Sequence, residues 1–173
     1  MNWFSSDHHF NHDNVIKFCN RPFEDSAEMN EVLIERHNSR IDKNDNVFLL
    51  GDIKLSSFGL NFHEIRSRLN GNLIIVGGNH DKNNGVNTPI RHIVINSYGK
   101  NILLVHKPAD AQIIMQHYGT IDLAFVGHVH IAWKFKSEEF GDMVNVGVDQ
   151  WDFYPVDAKQ ILKSYKKWKG GRN

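Results

Sequence analysis

The stretch that most limits what this chain can become is Leu73-Ile74-Ile75-Val76, together with the Gly77-Gly78-Asn79-His80-Asp81 that follows it at once. Four apolar residues in a row, three of them β-branched, predict a strand buried on both faces, the kind found in sheets covered by helices. Two glycines end it, and Gly78 lets the backbone turn sharply enough for Asn79 and His80 to point back over the sheet edge. A plain turn needs only Asn-Gly or Asp-Gly. An amide, an imidazole and a carboxylate side by side at a strand end therefore suggest chemistry, against the plainer alternative of a polar loop with an incidental histidine.

The same design recurs along the chain. A short strand over residues 2–6 ends at Asp7-His8-His9, and an apolar strand over 46–50 ends at Gly51-Asp52. Residues 101–105 end at His106, and 123–126 end at Gly127-His128-Val129-His130. In open α/β sheets the carboxyl ends of the strands share one edge, and sites form just beyond it. Residues far apart in sequence, from Asp7 to His130, are thus expected to meet in space.

Helical patterns separate these strands. Residues 14–18 form a helical turn before Arg21-Pro22-Phe23, where the proline stops regular structure. Asp25 with Glu28 resembles a capping box, opening a helix that runs to about Arg40 with Met29, Val32, Leu33 and Ile34 inward. Further helices are expected near 61–68 and 109–117. Residues 90–96 and 101–105 read as a hairpin around Ser97-Tyr98-Gly99, and 131–136 with 143–148 as a second hairpin turned at 137–142. Asp157 caps a last helix with Ala158, Ile161, Leu162, Tyr165 and Trp168 on one face. Strands alternating with helices indicate an α/β layered fold, and 173 residues suit one domain spanning 1–173.

Composition narrows the partners. Twenty basic and twenty acidic residues cancel, so no global field draws nucleic acid or an anionic membrane, and any attraction for anions is local. The single cysteine, Cys19, excludes an internal disulfide framework and fits a reducing cytosol. No apolar run approaches the ~18 residues of a membrane helix, and the start lacks a leader pattern, so the expected location is cytoplasmic. Eleven histidines are the one unusual count, in a residue suited to metal binding and acid–base work.

Taken together, Asp7-x-His9, Gly51-Asp52, Gly78-Asn79-His80-Asp81, His106 and Gly127-His128-Val129-His130 resemble, in order, the five motifs of the calcineurin-like metallophosphoesterase superfamily. Residues 10–14, Arg21-Pro22-Phe23 and Asn145-Val146-Gly147-Val148-Asp149 with Trp151 further resemble its small single-domain bacterial and phage phosphoesterases. The resemblance implies a four-layer α-β-β-α sandwich of two mixed sheets and a site for two divalent cations. Asp7, His9, Asp52 and His130 would hold one cation, and Asp52, Asn79, His106 and His128 the other, with Asp52 bridging. Such ions, ~3.5–4 Å apart, repel by about 17–19 kcal/mol at an effective dielectric of ~20, a bound for scale, so an anion must sit between them. Two divalent cations, less Asp7, Asp52 and a bridging hydroxide, leave one net positive charge to draw a phosphate ester. Oxygen and nitrogen ligands suit manganese, iron, nickel, cobalt or zinc alike, and manganese is taken as the first candidate.

The implied activity is hydrolysis of a phosphoric ester by the bridging hydroxide, with His80 stabilising the transition state or protonating the leaving oxygen and Asp81 orienting the His80 ring. A short chain leaves little room for a cap domain. The open site admits a diester or a nucleotide as readily as a small monoester, and the reading favours diesters. His12 is a candidate substrate contact or a support for His9, and Arg21 a candidate phosphate clamp, with a surface salt bridge as its alternative. His8 is assigned a structural role, Asp149 and Trp151 a place at the rim or in the core, and His37, His63, His92 and His117 no function. Lys163, Lys166, Lys167, Lys169 and Arg172 complement the last helix's dipole, an RNA-binding tail being the other reading. Two rivals stand beside the hydrolase. A nuclease acting on RNA or DNA needs a basic track to the metals, and only the tail hints at one. A non-catalytic interaction scaffold on the same fold usually lacks site residues that are all present here.

Overall fold

Alternation along each strand decides the layering, because successive side chains leave opposite faces. In the computed structural model, which describes residues 1–56 and 58–171, fourteen regular elements follow one another. These are β1 (Asn2–Ser5), α1 (Asp13–Phe18), α2 (Ser26–Asn38), β2 (Asn46–Leu49), α3 (Phe62–Arg68), β3 (Asn72–Ile75) and β4 (His92–Ser97). Then come β5 (Lys100–Val105), α4 (Pro108–His117), β6 (Leu123–Val126), β7 (Phe135–Glu138), β8 (Gly141–Asn145), β9 (Val156–Asp157) and α5 (Ala158–Gly170). One mixed sheet has the order β3-β2-β1-β9 and the other β4-β5-β6-β8-β7. The chain folds as a four-layer α-β-β-α sandwich of two mixed sheets.

Three apolar cores fill the spaces between layers. Phe4, Phe48 and Leu50 face Ile102, Leu104, Leu123 and Phe125 between the sheets. Phe4 stacks on Phe48 with ring centres 5.4 Å apart and meets Phe125 edge-on at 5.0 Å, geometries that favour aromatic pairs. The alternate residues Trp3, Val47 and Leu49 point the other way, toward Met29, Leu33 and Ile65 of the helices on that side. Leu103, Val105, Ala124 and Val126 likewise meet Ala111 and Met115 of α4. Helix α5 adds Ile161 and Leu162 to the inter-sheet core, with Tyr165 packed against it.

Several local expectations need correction. The apolar run ending in Val76 forms an edge strand, β3, with its residues half-buried or exposed; only Val76, past its end, is fully buried. Glu28 does not close a capping box on Asp25. Asp25 accepts from Glu28 N–H at 2.8 Å, but the Glu28 carboxylate takes the N–H of Glu24 at 2.7 Å, one residue upstream. The full box belongs to α3, where Asn61 and Glu64 cap each other. The second hairpin starts later than its pattern suggests, because Asn145 Nδ2 holds the carbonyls of His130 and Trp133, at 2.8 and 3.0 Å, in a loop. Among the described residues no helix is long and apolar enough to cross a membrane. Arg172 lies outside the described residues.

Candidate metal centre

The loops after β1, β2 and β3 in one sheet, and after β5 and β6 in the other, converge where the two sheets' ends meet. Backbone bonds bring them together: Asp7 N–H donates to Gly51 carbonyl (3.1 Å), His9 N–H to Asp52 carbonyl (3.1 Å) and Gly127 N–H to His106 carbonyl (2.9 Å). Two glycines make the approach possible. A Cβ on Gly78 would lie 2.3 Å from Asp52 Oδ1, and one on Gly127 would lie 2.0 Å from Ser6 Oγ and 2.6 Å from Asp7 Oδ2. Five of the seven expected ligands, Asp7, His9, Asp52, His128 and His130, have left-handed backbone, with φ between 44 and 72°. For residues other than glycine this costs roughly 1–3 kcal/mol each, and such strain collects at functional sites.

The floor is dry and the rim is wet. Asp7, His9, Asp52 and His106 are buried, whereas Asn79, His80 and His128 are exposed. Ligand atoms of Asp7, His9 and His130 lie within 4.8 Å of one another, as do those of Asp52, His106 and His128. The two triads touch: His9 Nε2 is 3.8 Å from Asp52 Oδ2, and both Asp7 oxygens accept from His128 N–H at 2.9 Å.

The donor chemistry fits cations in both triads. A carbonyl can only accept, so His106 Nδ1–H donates to Leu50 carbonyl (2.7 Å), leaving a lone pair on Nε2. That lone pair faces Asn79 Oδ1 at 3.1 Å and Asp52 Oδ2 at 3.3 Å. A nitrogen and two oxygens turned on one point suit a divalent metal. In the other triad both ring nitrogens of buried His9 have no hydrogen-bond partner among the described residues, beside the wholly buried Asp7 carboxylate. Burial pushes the Asp7 carboxyl up, and it presses His9 down to about 3, helped by the charge of His130. Burial also opposes ionisation of Asp52, but where a proton takes the His106 lone pair, its hydrogen bond and charge, with the His80 N–H, hold Asp52 well below the usual range.

His130 is aimed by a chain of charges. Its Nδ1 meets Asp149 Oδ2 at 3.0 Å; burial disfavours its protonation, yet this bond, with the Cys19 sulfur and the Asp7 charge, carries it up to about 10. Asp149 in turn receives Arg21 through Nε at 2.8 Å and Nη2 at 2.9 Å. Arg21 also donates to the carbonyls of His8 and Asp7, each at 2.8 Å. Its side chain is fully buried, so Arg21 is neither a free phosphate clamp nor a surface salt bridge. It braces the loop that carries Asp7 and His9. The sequence reading missed this link, for which no local signal exists: the partners stand 128 positions apart. Cys19 Sγ, also unassigned before, lies within 4.8 Å of His130 and Asp149 ligand atoms.

Asp81 likewise differs from its expected role. Its carboxylate accepts the N–H groups of Ile53 (2.9 Å), Asp52 (3.1 Å) and Gly78 (2.7 Å), fixing the loop that presents Asp52 rather than the His80 ring. His80 is held through its own N–H to Asp52 Oδ1 (3.0 Å), with Nε2 4.0 Å from Asp52 Oδ2. The His12 ring stands 5.5 Å from that of His9. His8 turns inward, stacking on Phe10 with ring centres 5.6 Å apart. Trp151 is core, its indole N–H on Asn145 carbonyl at 2.9 Å.

The family model described as Calcineurin-like phosphoesterase superfamily domain matches residues 4–152. This chain belongs to the calcineurin-like phosphoesterase superfamily. Within reach of this superfamily member is an uncharacterized protein of Methanocaldococcus jannaschii, 36% identical over 174 residues, 95% of this chain and 90% of that protein. The crystal structure of a protein of unknown function from Aquifex aeolicus superposes with a TM-score of 0.74 at 26% identity, covering 94% of this chain and 98% of that one. A structure described as a novel archaeal phosphodiesterase aligns with a TM-score of 0.48 at 16% identity, over 92% of this chain and 94% of that one.

Proposed function

We propose that this calcineurin-like phosphoesterase is a metal-dependent phosphoric ester hydrolase that favours diesters over monoesters. The observation that carries the reading is the pair of touching triads, Asp7/His9/His130 and Asp52/His106/His128. Asp7, His9, Asp52 and His130 would hold one divalent cation, and Asp52, Asn79, His106 and His128 a second, with manganese the first candidate. When bound, such a pair makes water nucleophilic at neutral pH and offsets charge on the phosphoryl oxygens.

The protein's own groups do the rest. Asp149 and the Leu50 carbonyl fix the rings of His130 and His106 through Nδ1, which leaves Nε2 of each for the cation. The His80 side chain is 46% exposed beside Asp52, where its ring reaches a substrate oxygen and can give it a proton. The rim of Asn79, His80 and His128 is exposed, which supports a substrate with two substituents on phosphorus.

Manganese-loaded protein assayed with a chromogenic phosphate diester and the matching monoester should turn over both, the diester faster. His80→Ala should lower kcat by about a hundredfold or more, the scale of acid–base catalysis, with metal content by atomic emission unchanged. Silence on every ester with manganese, iron, nickel, cobalt or zinc at full occupancy would overturn the reading in favour of a scaffold.

A further inference from the structure

Beside the triads runs a groove of about 190 Å³ whose lining includes Gly78, Asn79, Arg91, His106 and Lys107. Two of these, Asn79 and His106, are candidate ligands, so the groove opens directly from the metal centre. A second groove of about 240 Å³ shares Gly77 and Arg91 with it and adds Lys82. The absence of a side chain at Gly77 is what lets Arg91 settle there, since a Cβ would lie 2.4 Å from its Nη1. The next residue, Gly78, is packed against Asp52 in the same way. Arg91 and Asp52 therefore lie over consecutive residues, whose Cα atoms are about 3.8 Å apart.

The two cations in this groove are uncommitted. Among the described residues, neither the Arg91 nor the Lys107 side chain has a hydrogen-bond or ion-pair partner. Arg21, by contrast, is spent on Asp149 and backbone carbonyls. Lys107 lies close to the rim: it follows His106 directly in the chain and lines the groove together with His106 and Asn79. Asp110 is the one carboxylate on this lining, and it sits in the first turn of α4, where the helix's free N–H groups offset its charge. A free guanidinium presents a fork of donors matched to phosphate, and a lysine adds a point charge.

We propose that Arg91 and Lys107 form a second anion subsite next to the metal centre, and that the substrate is a phosphate ester carrying a second phosphate group. This rests on the hydrolase reading for the first phosphate. The groove adds charge selection: the ester to be cut lies over the triads while its neighbouring phosphate is held by Arg91 and Lys107. A nucleotide chain and a mononucleoside bisphosphate both carry a second phosphate group beside the ester to be cut.

The test uses a dinucleotide with and without a 5′-phosphate, so that the second phosphate is the only difference. Calorimetric titration of the protein as purified should show tighter binding of the phosphorylated form by about tenfold, the scale of one charge-assisted hydrogen bond. The double variant Arg91→Gln with Lys107→Gln should erase that preference. In metal-loaded turnover the same variant should raise KM for the phosphorylated dinucleotide and leave a chromogenic diester within about twofold. A wild-type preference absent from the titration, or one that survives in the double variant, overturns the subsite. Loss of turnover on all esters with the binding preference intact would instead sink the hydrolase reading alone. A mononucleoside bisphosphate in place of the dinucleotide, if bound with the same preference, supports the subsite and identifies the small ligand as its source.

Discussion

Arg21 carries a full charge where water does not reach, and its five N–H groups are all taken: two by Asp149, two by the carbonyls of His8 and Asp7, one by Met29 Sδ at 3.3 Å. Removing one member of a buried pair leaves the other charge stranded, so Arg21→Gln should lower unfolding free energy by about 3–5 kcal/mol. Urea denaturation measures this, and a loss below ~1 kcal/mol would mean that Asp149 finds other partners. At this scale the sequence was readable where chemistry and position coincide. Asp7, His9, Asp52, Asn79, His106, His128 and His130 each lie within four residues of a strand end, and the structure brings them to one place. It was unreadable where a residue's partner is remote or is backbone. Arg21 could not be matched to Asp149 from local pattern, and nothing in Asn79-His80-Asp81 says that Asp81 bonds three main-chain N–H groups.

Elements were legible through their periods and caps, and less so through their place in a sheet. Hairpin β4–β5 and helix α4 follow from alternation and helical spacing, and strand β6 from its continuous apolar run. The run ending at Val76 misled because four apolar residues look the same at an edge as at a centre, and only pairing tells them apart. Helix α5 is tied to the second sheet through Asp142, which meets Lys169 Nζ at 2.6 Å, Ser137 Oγ at 2.5 Å and the Tyr165 hydroxyl. Burial opposes ionisation of Asp142, but these bonds prevail and set its folded pKa below the ordinary 3.8. A depressed carboxylate contributes stability that is fully present above its unfolded pKa and is lost as pH falls through the folded one. Asp142→Asn should thus flatten the loss of stability on acidification below about pH 4, which thermal melts across that range would read. An unchanged slope would mean that the clasp does not couple to folding.

At the scale of the molecule, the layering followed from counting strands and helices, while the meeting of the two sheets' ends did not follow from any one segment. Bonds at the site span up to 128 positions, as between Arg21 and Asp149, and an unfolded chain has no comparable cluster. Whatever cations it takes should therefore bind the folded form alone. At about a hundredfold excess over its dissociation constant, one bound cation adds about 2.7 kcal/mol, so a chelator should lower the melting temperature by several degrees in calorimetry. A melting curve indifferent to chelation would mean that the triads do not retain metal.

One triad hangs chiefly from the first sheet and its neighbour chiefly from the second, and the packed rings of Phe4, Phe48 and Phe125 help keep those sheets in step. A slip of the two sheets against each other, too small to unfold anything, would part the triads. Fidelity at the reactive edge is thus guarded from the oily middle, by rings that touch neither metal nor substrate.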